Sequence, residues 1–152
     1  MASTEENPDH RLVAIHPSPE EAFKMPYAPA IHIVGACDLM FVSGCTPSTL
    51  YHHHPHRDEE HVHPHSIEEQ TRLAMESIKL ILDHVGAKFK DIVKITKYLT
   101  DMREADLMNK AMKPYMGDWQ PASTMVCINQ LSTAGARIEL DVIVAIPKSR
   151  SN

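Results

Sequence analysis

The chain has no excess of basic charge, no long apolar run and no even set of cysteines, and each absence closes a class of function. Its net charge is −5 with histidine neutral. Binding to a phosphate backbone needs a basic face, so no nucleic-acid partner is expected. No apolar stretch approaches the roughly 20 residues a membrane-spanning helix requires, so no membrane partner is expected either. The opening MASTEENPDHR is polar and acidic, without the basic-then-apolar order of a secretory signal. Cys37, Cys45 and Cys127 are widely spaced and odd in number, which suits a reducing compartment better than a disulfide framework. With 152 residues, 43% of them hydrophobic and 23% charged, the chain is long enough for one globular core. The expectation is a single soluble, cytoplasmic domain over 11–148 behind a loose arm at 1–10.

What is present alternates between strand and helix patterns. RLVAIHP, from Arg11, reads as a short strand stopped by Pro17. PSPEEAFKMPYAP carries four prolines and reads as an irregular connection. Two strands follow, Ile31–Val34 and Leu39–Ser43, with a turn over 35–38. The clearest helix is SIEEQTRLAMESIKLILDHVG. Ser66 and Glu69 form a capping-box pattern, Ile67, Ala74, Ile78, Ile81 and Val85 share a face, and Gly86 ends it. In DIVKITKYLT, Val93, Ile95 and Lys97 point one way and Lys94, Thr96 and Tyr98 the other, as in a strand. Asp101 and Glu104 suggest a second capped helix, rich in methionine, which Pro114 should kink or end early. Strands in PASTMVCINQL and ARIELDVIVAIP close the chain. This order predicts an α+β fold, a mixed sheet with two helices on one face in a split βαβ layout.

Seven of the eleven histidines fall in YHHHPHRDEEHVHPH, residues 51–65. His52, His54 and His56 are two apart, as are His61, His63 and His65, and residues two apart in extended chain share a face. A hairpin through Arg57–Glu60 would bring six imidazoles together, with His61, His63 and His65 as candidate ligands for a divalent metal. Against this, Pro55 and Pro64 cannot donate to a sheet ladder, and no helical His-x-x-Glu-His motif is present. A lid or a solvent loop is the plainer reading of the segment. His10, His16 and His84 read as surface residues, His32 as a core or site residue, and Cys127 as core.

The strings PYAPAI, FVSGCTP, IEEQTRLAMESIKLIL, DIVKITKYLTDM, LMNKAM, PASTMV and RIELDVIVA stand in the order of the RidA/YjgF motifs, from about Pro26 to Ile146. The chain resembles that family. The resemblance implies a chorismate-mutase-like fold and a homotrimer with small-molecule sites in clefts between subunits. It also implies hydrolysis of imines and enamines to ammonia and a keto acid, with no cofactor. Carried over by position, Glu139 would position water and move protons, and Tyr27 would line the cleft as its catalytic companion. Ser43, Gly44, Cys45, Asn109 and Ser123 would bind substrate. The departure is at Ser123, within Pro121-Ala122-Ser123-Thr124, where the family's arginine forks onto the substrate carboxylate. Losing one partner of a buried charge pair costs about 2–5 kcal/mol. The substrate expected is therefore an imine, enamine or related activated double bond other than the usual small 2-imino acid. A ligand-binding trimer without catalysis and a metal-binding trimer are the alternatives.

Overall fold

The computed structural model describes residues 10–148. Of the arm expected over 1–10, residues 1–9 lie outside that range, and His10 is the first residue of a strand and is buried. Strand β1 (His10–Ile15) pairs antiparallel with β2 (Ala30–Gly35) in a two-stranded sheet of its own. The proline-rich connection between them is not wholly irregular, because Pro19–Lys24 winds into a 3-10 turn with proline at its first position.

The main sheet holds β3 (Cys37–Cys45), β4 (Ile92–Leu99), β5 (Ala122–Cys127) and β6 (Ile138–Pro147) in the order β3-β6-β4-β5. Helix α1 (Ile67–His84) connects β3 to β4, and β6 inserts between them antiparallel to both, which is a split βαβ unit. Helix α2 (Ala105–Met116) connects β4 to its parallel neighbour β5. Both helices cover one face. Met75, Ile78 and Leu82 of α1 and Met108 and Met112 of α2 bury against Ile95, Leu99, Leu140, Val142 and Val144 of the sheet. Each such side chain contributes about 1.5–3 kcal/mol by leaving water.

The helix ends follow local chemistry with two departures from the expected pattern. Ser66 Oγ accepts from Glu69 N–H at 3.3 Å but gives its own proton to Glu68 at 2.9 Å. At the other end Gly86, at φ +70°, lets Ala87 N–H reach Leu82 O while its own N–H reaches Asp83 O, a Schellman closure. Asp101 caps only a 3-10 turn, Met102–Glu104, by accepting from Arg103 N–H. Glu104 does not complete a capping box there, because Arg137, just before β6, takes its carboxylate with two hydrogen bonds of 2.9 Å. Pro114 does not end α2 early. It falls in the last turn, and the helix runs two residues further before Gly117 at φ +57° closes it onto Lys113 O.

Among the described residues the other face of the sheet carries no helix. Alternation sends Leu39 and Phe41 of β3 outward, 52% and 72% exposed, along with Glu139 and Asp141 of β6 and Tyr98 of β4. No helix of the described residues is long and apolar enough to cross a membrane.

Candidate active site

Two groups of candidate residues occupy opposite faces of the sheet. On the open face, Glu139 pairs with Tyr98 across the β4–β6 ladder, flanked in sequence by the buried Ile138 and Leu140. Its side chain lies over Gly44: a Cβ built on Gly44 would fall onto the Glu139 carboxylate. That close approach explains a glycine in the middle of a strand. Burial first, and the neighbouring Asp141 second, push the Glu139 carboxyl above its ordinary value. Asp141 also accepts the Tyr98 hydroxyl, and its charge raises the Tyr98 pKa. A half-buried carboxylate whose charged form is disfavoured is a better proton acceptor than an exposed one.

Cys45, the residue after Gly44, points to the other face and is buried. Burial and then the Glu139 charge push its thiol up to about 11, so it is a neutral thiol at physiological pH and not a nucleophile. Ser43 is exposed, and its carbonyl accepts from the Cys45 thiol at 3.6 Å.

Asn109 and Ser123 come together on the helix side. Ser123 pairs in parallel register with Ile95, a core residue, and so shares its face. Asn109 reaches it from α2, and with Lys97, Trp119 and Gln120 they line a cavity of about 140 Å³. Lys97 is a candidate residue of this cavity that motif reading did not single out. It is 5% exposed, and its ammonium donates to Asn109 Oδ1 at 3.1 Å, a neutral acceptor. Burial pulls its pKa down to about 8. The signal was in the alternation Val93, Ile95, Lys97, Leu99, where the one charged residue occupies a core-facing position. Two arginines elsewhere are engaged away from this cavity: Arg137 with Glu104, and Arg72 in a separate groove beside Glu76 and Tyr115.

Tyr27 is half-buried on the loop that meets β5, where Ala28 bridges Ala122 and Gln120 donates to Met25 O at 2.7 Å. This puts it beside the strand that carries Ser123, and Pro26 lines the cavity itself. Three single-residue expectations change. His10 is buried rather than on the surface, and His32 is exposed rather than in the core. Cys127 is exposed because it is the last residue of an edge strand.

The histidine segment is a folded loop, not a hairpin. His52, His54 and His56 group their rings, while Asp58–His61 makes a 3-10 turn. His61, His63 and His65 do not converge. His63 and the His61 carbonyl lie against Gly135, and the His65 carbonyl accepts from Arg137 at 2.6 Å.

Comparison with known proteins agrees with this architecture. Residues 19–146 match the family model described as Endoribonuclease L-PSP. A RutC family protein of Pyrococcus horikoshii is 31% identical over 106 residues, 70% of this chain and 79% of that protein. The crystal structure of a candidate endoribonuclease of Thermotoga maritima, 31% identical, superposes with a TM-score of 0.61 over 80% of this chain and 87% of its own. TdcF of Escherichia coli, named as a candidate reactive intermediate deaminase, is 29% identical over 55% of this chain and 61% of TdcF. Against another relative the match falls to 51% of its length, so the chain spans about half of that protein.

Proposed function

The chain belongs to the Endoribonuclease L-PSP family, which takes in the YjgF proteins, and from that premise we propose that it is a small-molecule hydrolase that deaminates an imine, enamine or related activated double bond. The observation that carries this reading is Glu139, held against Gly44 with its carboxyl raised. In the proposed reaction Glu139 takes a proton from water as the oxygen adds to the C=N carbon. It returns that proton to the nitrogen to give a carbinolamine, then moves the hydroxyl proton to the nitrogen as the C–N bond breaks, leaving a carbonyl compound and ammonia. Tyr27 walls the site.

Within one protomer Glu139 and Ser123 stand on opposite sheet faces. A site using both draws them from two protomers, which fits a homotrimer with clefts between subunits. The missing arginine also has a counterpart. Lys97 puts an ammonium in the cavity that Ser123 lines, so a substrate with an acidic group regains a cation there. A reducing compartment such as the cytoplasm suits three free cysteines.

A second reading, a binder of small carboxylates without turnover, rests on that same ammonium. RNA cleavage, which the family's name carries, fits less well, because Glu139 and Asp141 make the open face acidic where a phosphate backbone needs cations.

The deciding measurement is ammonia release from freshly generated 2-iminopropionate by the wild type, Ser123→Arg and Glu139→Gln. Activity in the wild type, lost in Glu139→Gln, supports the deaminase reading. Activity only in Ser123→Arg keeps the scaffold and moves the substrate to another imine. Silence in all, with saturable carboxylate binding that Lys97→Met abolishes, establishes the binder instead.

A further inference from the structure

We propose that His52, His54 and His56 form a three-imidazole site for a divalent first-row transition ion, apart from the Glu139 face and the Lys97 cavity. The segment 52–56 is neither helix nor strand, and with its bend at His54 and Pro55 it gathers the three rings together. The three rings lie 4.7 to 4.8 Å apart between centroids, and one nitrogen from each falls within 4.8 Å of the others. Tetrahedral zinc, at about 2.0–2.1 Å from each nitrogen, needs ligand atoms roughly 3.3 Å apart, a closure within reach of side-chain rotation alone.

Two further observations point to a ligand rather than to idle rings. His52 Nδ1 lies 3.0 Å from the carbonyl of Thr49. A carbonyl only accepts, so Nδ1 carries the proton and Nε2 presents its lone pair. A backbone carbonyl orienting a histidine is a recurring second contact at metal sites. His56 Nε2 is shielded from solvent and has no hydrogen-bond partner, as does Nδ1 of His61, whose ring is 5.2 Å from that of His56. Buried polar nitrogens are normally satisfied, and an ion at the centre of the rings would satisfy the one on His56.

The loop is also braced. One oxygen of Glu60 accepts from His53 N–H at 3.0 Å and binds His53 Nδ1 at 2.7 Å, while the other accepts from Arg57 N–H at 2.8 Å. This carboxylate ties the two ends of the segment that bears the three imidazoles, so little ordering remains for the ion to impose. His53, used in the brace, is excluded from the ligand set. Three neutral donors suit zinc, cobalt, nickel or copper rather than magnesium or calcium. His54 faces solvent, which leaves a coordination position open to water.

The test uses the full chain without an affinity tag, stripped with chelator and dialysed. Zinc is titrated calorimetrically, and cobalt is followed by its visible spectrum. The expected result is one ion per chain with tetrahedral-type cobalt bands. His54→Ala and His56→Ala should each weaken binding at least tenfold, whereas His63→Ala and His65→Ala leave it unchanged. Glu60→Gln, which keeps every ligand, should weaken it less than either ligand loss, and unchanged circular dichroism shows that the variants fold. Several ions per chain, or equal small losses from all the histidine variants, would mean nonspecific chelation by a histidine-rich tract and overturn the proposal. Binding that survives in His54→Ala does the same.

Discussion

At the scale of single residues, Lys97 sets the energetics of the site. Its folded pKa, about 8, lies below the ordinary lysine value of 10.5. The unfolded chain therefore binds more protons between those limits, and this lysine's contribution to stability rises with pH through that window. Below pH 8 the charge destabilises the fold by roughly 3 kcal/mol, from about 1.4 kcal/mol per pKa unit. Lys97→Met should stabilise the protein by up to that amount at pH 7, with the gain shrinking towards pH 10.5, as urea denaturation across pH would show. A small carboxylate should raise the melting temperature of the wild type and not of that variant. Glu139 has the opposite sign. Its raised carboxyl disfavours the charged form, so Glu139→Gln should gain stability at pH 7, gain nothing at pH 4, and lose ammonia release. Glu139 was legible from the order of motifs. Lys97 was not, because a lysine in an alternating strand is usually read as solvent-facing, and only the packing of α2 over that position shows it buried.

Elements were legible wherever the signal was local. The α1 boundaries follow from Ser66 and Gly86, residues that act on their own helix, and Gly86→Ala should cost about 1 kcal/mol in thermal melts by straining the left-handed closure. The start of α2 was misread for a non-local reason: Glu104, ideally spaced to box Asp101, is claimed by Arg137, distant in sequence on the loop before β6. In the histidine segment the hairpin that would gather six imidazoles does not form, and the chain is a loop. Periodicity does not say where the chain bends, and here it bends at His54 and Pro55 and then winds into the 3-10 turn Asp58–His61. Gly44 marks where strand and site meet. Gly44→Ala should displace the Glu139 carboxylate and lower the rate of ammonia release at least tenfold, with the fold retained by circular dichroism.

For the whole molecule, the uncovered sheet face is the feature that needs a partner. Leu39 and Phe41 are exposed on it, and an apolar strand surface of this kind marks an association face. Phe41→Asp should convert the proposed trimer to monomer in sedimentation and abolish turnover, because Glu139 and the Lys97 cavity would no longer meet. Mixing inactive Glu139→Gln with inactive Lys97→Met by co-refolding should restore about a quarter of wild-type activity, the share of interfaces that draw an intact residue from each side of a symmetric ring. A mixture as inactive as its parents would place the site within one protomer. The strand order has a consequence for synthesis as well. β3 and β4 are made early, yet each waits for β6, the last strand, to fill the gap between them. On the ribosome the sheet stays divided, with its apolar edges open, until residue 147 emerges. Closure of the sheet thus rests on pairings between strands far apart in sequence, a topology that slows folding.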